Sequence, residues 1–185
     1  MTNVIIVHGT GGSPEGNWFP WLKSELEKLN CKVFVPKFPT PENQSIDSWL
    51  DVFKDYQRYL DKDAIVVGHS LGPLFLLGVL EKLKEPIKAA FFVAGFTGYL
   101  DRSEFDVLNM SFVTQRFDWY KIKANCKKFY VINSRDDPYV SIVEGQEIAR
   151  NLDAELDVLE DAGHINAESG YTSFPLLLEK IKKEL

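Results

Sequence analysis

Six short apolar runs, separated by longer amphipathic stretches, constrain this chain more than any other feature. The runs are Val4–Val7, Lys32–Val35, Ala64–Val67, Ala89–Ala94, Lys128–Ile132 and Glu155–Leu159. They are rich in Val, Ile and Phe, and most lack the polar alternation of a strand with one wet face. Such runs suit strands covered on both sides. Between them, apolar residues recur at helical spacing. Trp18, Trp21, Leu22, Leu26 and Leu29 form one such set, and Ile46, Trp49, Leu50, Phe53, Tyr56 and Leu60 another. Leu74, Leu77, Val79, Leu80 and Leu83 make the most apolar helix, and the stretches 142–152 and 173–185 complete the series. Strand–helix alternation of this kind predicts a three-layer α/β/α sandwich around a mostly parallel six-stranded sheet. With 185 residues the chain has the size of a single domain, 1–185.

Right-handed crossovers place functional residues beyond the carboxyl ends of such strands. The unusual residues do follow the runs. His8-Gly9-Thr10-Gly11-Gly12 follows the first, Gly68-His69-Ser70 the third, Asp136-Asp137 the fifth and Gly163-His164 the sixth. One segment, 96–120, has no clean period and is rich in aromatics. It reads equally as a lid or binding loop and as a helix packed on the sheet.

Gly68-His69-Ser70-Leu71-Gly72 is a G-x-S-x-G motif between a strand and a helix, the setting of a nucleophile elbow. Small residues flank such a serine because chain segments approach closely at the turn. Pro73 falls in the first helical turn, where its missing N–H costs little. A serine hydroxyl needs a base. Of the three histidines, His69 adjoins Ser70 and His8 suits a loop-shaping role. His164 is the only one after Ser70, as the order Ser, acid, His requires. For the acid, Asp137 in Asp137-Pro138-Tyr139-Val140 fits a D-x-x-V pattern; Asp136 then braces the loop, and Asp161 is the weaker alternative. Oxyanion donors are expected from the N–H groups of Leu71 and Thr10. Trp18, Phe96, Tyr99, Trp119 and Tyr139 are candidates for an apolar substrate pocket.

Other chemistries find little support. The glycine-rich loop fails G-x-G-x-x-G, because Pro14 stands where the third glycine belongs, and no phosphate-binding G-x-x-x-x-G-K-[ST] is present. Cys31 and Cys126 form no pair and no zinc-spaced set, so neither a metal site nor a disulfide is expected, and each reads as a free buried thiol. A net charge of −6 disfavours nucleic acid and anionic membranes. No apolar run approaches the length of a membrane span, and no secretory leader is visible, so a cytoplasmic protein is expected. A protein partner is not readable.

The chain resembles the small serine hydrolases of the YdeN and retinoblastoma-binding-protein-nine type, within the α/β-hydrolase superfamily. The resemblance rests on His8-Gly9-Thr10-Gly11-Gly12 with Trp18, the elbow, Asp118-Trp119 with Ile122, Ser134-Arg135-Asp136-Asp137-Pro138-Tyr139-Val140, and Gly163-His164. It implies a minimal hydrolase fold without a large cap domain, a Ser70–Asp137–His164 triad and no cofactor. The expected activity is hydrolysis of a small acyl substrate, most simply an ester, through an acyl-enzyme. An amidase or aminopeptidase would use the same residues, and a non-catalytic protein-binding module could retain the same fold.

Overall fold

A computed structural model describes residues 1–185. The strands are β1 (Asn3–Val7), β2 (Lys32–Phe34), β3 (Ile65–His69), β4 (Ile87–Val93), β5 (Cys126–Ser134) and β6 (Glu155–Leu159). The helices are α1 (Phe19–Lys28), α2 (Ile46–Phe53), α3 (Leu71–Glu81), α4 (Ser103–Val113), α5 (Trp119–Ala124), α6 (Ile142–Leu152) and α7 (Pro175–Lys182). The strands form one sheet in the order β2-β1-β3-β4-β5-β6, and every neighbouring pair is parallel.

Side chains alternate across this sheet, and both faces are covered. Ile5, Val7, Val66, Ala90, Phe92 and Val131 point to the face carrying α2 through α6. Val4, Ile6, Ile65, Val67, Phe91 and Val93 point to the face carrying α1 and α7. This two-sided burial is why the runs read as nearly continuous apolar sequence. Helix α3 is buried all round, from Leu71 to Leu80, so it shows almost no polar face. The two edge strands are less covered: β2 exposes Lys32, and β6 buries none of its residues fully. Lys180 of α7 bridges Glu155 (2.7 Å) and Asp157 (2.8 Å) of β6. Cys31 and Cys126 are free and buried. No helix is long and apolar enough to cross a membrane.

The strand order reverses direction at β1. The chain leaves β1 toward β2 on one side and returns to β3 on the other. Crevices form beyond the carboxyl ends of strands at such a switch point. The residues that follow β1 and β3 therefore meet there, joined by those that follow β5 and β6. The segment 96–120 resolves into a helix: α4 packs beside α3, and α5 follows it.

Candidate active site

Ser70 sits between the end of β3 and the start of α3 with φ 59° and ψ −108°, a backbone conformation that side chains rarely adopt. Its surroundings hold it there. The Ser70 N–H donates to Val93 O (3.0 Å), continuing the β3–β4 ladder one residue past the strand. A Cβ on Gly68 would stand 2.6 Å from the Pro73 nitrogen, and one on Gly72 would collide with the Val7 carbonyl oxygen. Gly9 comes equally close from the other side, since a Cβ there would lie 2.6 Å from the Ser70 Cβ. The glycines of the motif are thus demanded by packing. They let the turn tuck under β1 and let the loop after β1 pass over the serine.

The loops after β5 and β6 bring Asp137 to His164. Asp137 Oδ1 accepts from the N–H groups of Tyr139 (2.8 Å) and Val140 (3.0 Å). Its Oδ2 meets His164 Nδ1 at 2.8 Å, with the carboxylate side chain fully buried. A carboxylate can only accept, so His164 carries its proton on Nδ1 and leaves Nε2 as an acceptor. Asp161, the alternative acid, is exposed and has no such contact. Asp136 ties the two loops together: its Oδ1 accepts from Ser134 Oγ and from the N–H groups of Ala162 (2.9 Å) and Gly163 (3.0 Å). The Ser134 hydroxyl and these N–H groups hold the Asp136 carboxyl below the usual carboxylate range.

The other two histidines are neutral supports. His8 Nδ1 donates to Gly9 O (2.9 Å), and its Nε2 accepts from the Phe38 N–H (3.1 Å). Burial lowers its pKa. His69 Nε2 donates to the carbonyl of His164 (2.9 Å). Burial, and then the neighbouring His164, push His69 down to about 3. Trp18 Nε1 donates to the next carbonyl, that of Ile165 (3.0 Å). His69 and Trp18 therefore anchor the His164 loop by two successive carbonyls.

Ser70 and His164 line one cavity of about 170 Å³ together with Thr10, Phe96, Phe105, Asn109, Tyr139 and Val140. No hydrogen bond joins the serine and histidine side chains. Such contacts are often long or misaligned without substrate and tighten in the complex. The N–H groups of Leu71, at the start of α3, and of Thr10 are engaged by no other group of the chain. On its other side the same Ser70–His164 pair borders a polar cleft of about 360 Å³, lined by Gly9, Gly11, Asn17, Asn166 and Glu168 among others.

Of the five aromatic pocket candidates, Phe96 and Tyr139 line the cavity, and the Tyr139 ring meets His164 edge-on at 5.1 Å. The other three lie outside this cavity. Trp18 is wholly buried against Phe19, His69 and Phe174. Trp119 packs on Phe117. Tyr99 is 53% exposed and lines a neighbouring surface groove. Aromatic content carried no information about which side of a segment faces the site. Phe105, Asn109 and Asn166 were not foreseen; each is an isolated residue without a motif. No group of three or more His, Cys, Asp or Glu side chains is arranged to hold a metal ion.

A model of the serine hydrolase family matches residues 4–183. The Bacillus subtilis protein YdeN is 31% identical over 178 residues, covering 95% of this chain and 92% of its own length. The crystal structure of that gene product superimposes with a TM-score of 0.93 at 30% identity, over 100% of this chain and 98% of the other. The serine hydrolase RBBP9 of Rattus norvegicus is 28% identical over 187 residues, covering 100% of this chain and 96% of its own. Est1E from Butyrivibrio proteoclasticus, at 17% identity, shares the fold with a TM-score of 0.74, over 98% of this chain and 86% of that one.

Proposed function

The chain belongs to the serine hydrolase family, and from that premise we propose that it hydrolyses small esters through an acyl-enzyme on Ser70, with His164 as general base and Asp137 as its orienting acid. The observation that carries this reading is the 2.8 Å contact between Asp137 Oδ2 and His164 Nδ1, in a cavity that the strained Ser70 also lines. The Ser70 oxygen attacks the ester carbonyl carbon, and its proton passes to His164 Nε2. The negative charge that develops on the carbonyl oxygen is met by the Leu71 and Thr10 N–H groups. Collapse breaks the bond to the leaving oxygen, which takes the proton from His164 and departs as an alcohol. Water, deprotonated by the same imidazole, then attacks the acyl-serine and releases the acid. Asp137 remains ionised throughout and stabilises the imidazolium.

The two hollows beside Ser70 support a size limit. An apolar cavity of roughly 150 Å³ holds a benzene ring, so the 170 Å³ cavity suits an acyl group with about six heavy atoms beyond its carbonyl. The open polar cleft suits the alcohol, which must leave before water enters. With a series of p-nitrophenyl esters, kcat/KM is expected to be highest for acyl groups from acetyl to benzoyl. It should fall about tenfold or more by decanoyl, because surplus methylenes have no room. A kcat/KM that climbs steadily through decanoyl would contradict this reading.

A further inference from the structure

The glycine-rich loop after β1 is poorly suited, on its own, to hold an N–H group still. Its Thr10 and Gly11 are held from outside by a closed chain of side chains. The Gly11 N–H donates to Thr40 Oγ1 (2.6 Å), and the Thr40 hydroxyl donates to Gln44 Oε1 (2.5 Å). The orientation of the Gln44 amide is set on its other side by the Leu108 carbonyl, which can only accept and so must face the nitrogen. Gln44 Nε2 reaches Asn109 Oδ1 (2.8 Å), Thr10 Oγ1 (3.2 Å) and the Leu108 carbonyl (3.1 Å). Thr10 Oγ1, accepting from Gln44, gives its own proton to Asn109 Oδ1 (2.7 Å). Asn109 is 2% exposed, so its oxygen is buried and committed to two donors. Every direction follows from one obligatory acceptor, the Leu108 carbonyl, which turns the Gln44 nitrogen toward itself and Asn109 and leaves the Gln44 oxygen to accept from Thr40. The network specifies one arrangement of the loop relative to α4.

An oxyanion donor works only when it lies about 2.7–3.1 Å from the position the oxygen will occupy. Resting on the acyl-transfer reading above, we propose that Asn109 and Gln44 are positioning residues, which hold Thr10 so that its N–H meets the oxyanion. Neither touches the reacting atoms in this role. Asn109 acts from α4 and Gln44 from the loop before α2, and both act through the Thr10 hydroxyl. A network of this kind affects the transition state more than the bound ester, because the charge it serves appears only during attack.

The test combines ester kinetics with ¹⁵N relaxation of the Thr10 amide in the full chain. Misplacement by about 1 Å can cost a hundredfold, so Asn109→Leu is expected to lower kcat about 10- to 100-fold, with KM within about threefold. Asn109→Asp keeps an oxygen for both donors and should hold Thr10 as rigidly as the wild type, whatever its charge does to kcat. In Asn109→Leu the Thr10 order parameter should fall from about 0.85 toward 0.6. Gln44→Leu, at a half-exposed position, should move both readouts the same way and serves if Asn109→Leu does not fold. The proposal is overturned if kcat stays within about twofold of wild type, or if Thr10 is no more mobile. It is also overturned if Thr10 is as mobile in Asn109→Asp as in Asn109→Leu, which would mark a purely packing role. A wild type inert to esters and to a fluorophosphonate would overturn the acyl-transfer reading, and this inference with it. An active wild type with an unaffected Asn109→Leu overturns the positioning role alone.

Discussion

Asp137→Asn is expected to lower kcat for ester hydrolysis by about ten-thousandfold while the protein stays folded. The size of the effect follows from which oxygen does what. Asp137 Oδ1 already accepts from the Tyr139 and Val140 N–H groups. In the asparagine variant only the amide oxygen can take those two donors. The amide NH₂ must then occupy the place of Oδ2 and point its hydrogens at His164 Nδ1. His164 answers by carrying its proton on Nε2, where it can no longer receive one from Ser70. The loop geometry is preserved and the base is in the wrong tautomer. Imidazole ¹⁵N shifts should report the exchanged tautomer alongside the kinetic loss. A variant within tenfold of wild type would show that Asp137 has no part in turnover.

The second large effect is acid lability. His69 is held neutral by burial and by His164, with a folded pKa near 3, against about 6.5 for an exposed histidine. Its folded value is the lower one, so between the two values the unfolded chain binds a proton that the native state refuses. Stability from this site is complete above about pH 6.5 and falls as the pH drops toward 3. Between pH 7 and pH 5, His69 alone should remove about 2 kcal/mol of unfolding free energy. His8, also lowered by burial, adds in the same direction. The depressed carboxyl of Asp136 contributes further only in stronger acid, where it must protonate. Urea unfolding at pH 7 and pH 5 measures the slope, and His69→Gln, which can still donate to the His164 carbonyl, should flatten it. Equal stabilities at both pH values would mean that His69 protonates in place.

How legible this was from sequence differs from element to element. The interior strands were readable because burial on both faces leaves no polar interruption, as in Val4–Val7. The elbow was readable because strain and close packing restrict positions 68 and 72 to glycine, which marks the sequence. Helix α4 was not. It exposes Val107 and Met110, turns Phe105 and Asn109 toward the cavity and buries Phe112 and Val113, so no single apolar stripe survives. Helix α2 stops at Phe53, short of the Leu60 suggested by spacing, and a 3₁₀ turn at Gln57–Tyr59 carries the remaining aromatics onto Phe34. Trp18 illustrates the limit most clearly. Its size marked it as important, but its role is to bind the Ile165 carbonyl behind the site. Only tertiary contacts distinguish that from lining a pocket. Gln44 and Asn109 carry no local signal, since their meaning lies in bonds that span 65 positions of the chain.

The most direct test of the account is to treat the folded protein with a fluorophosphonate and locate the adduct by mass spectrometry. One adduct per chain, on the peptide holding Ser70 and lost in Ser70→Ala, is the expected result. A folded wild type that remains unmodified, or that carries the adduct on another residue, would contradict it.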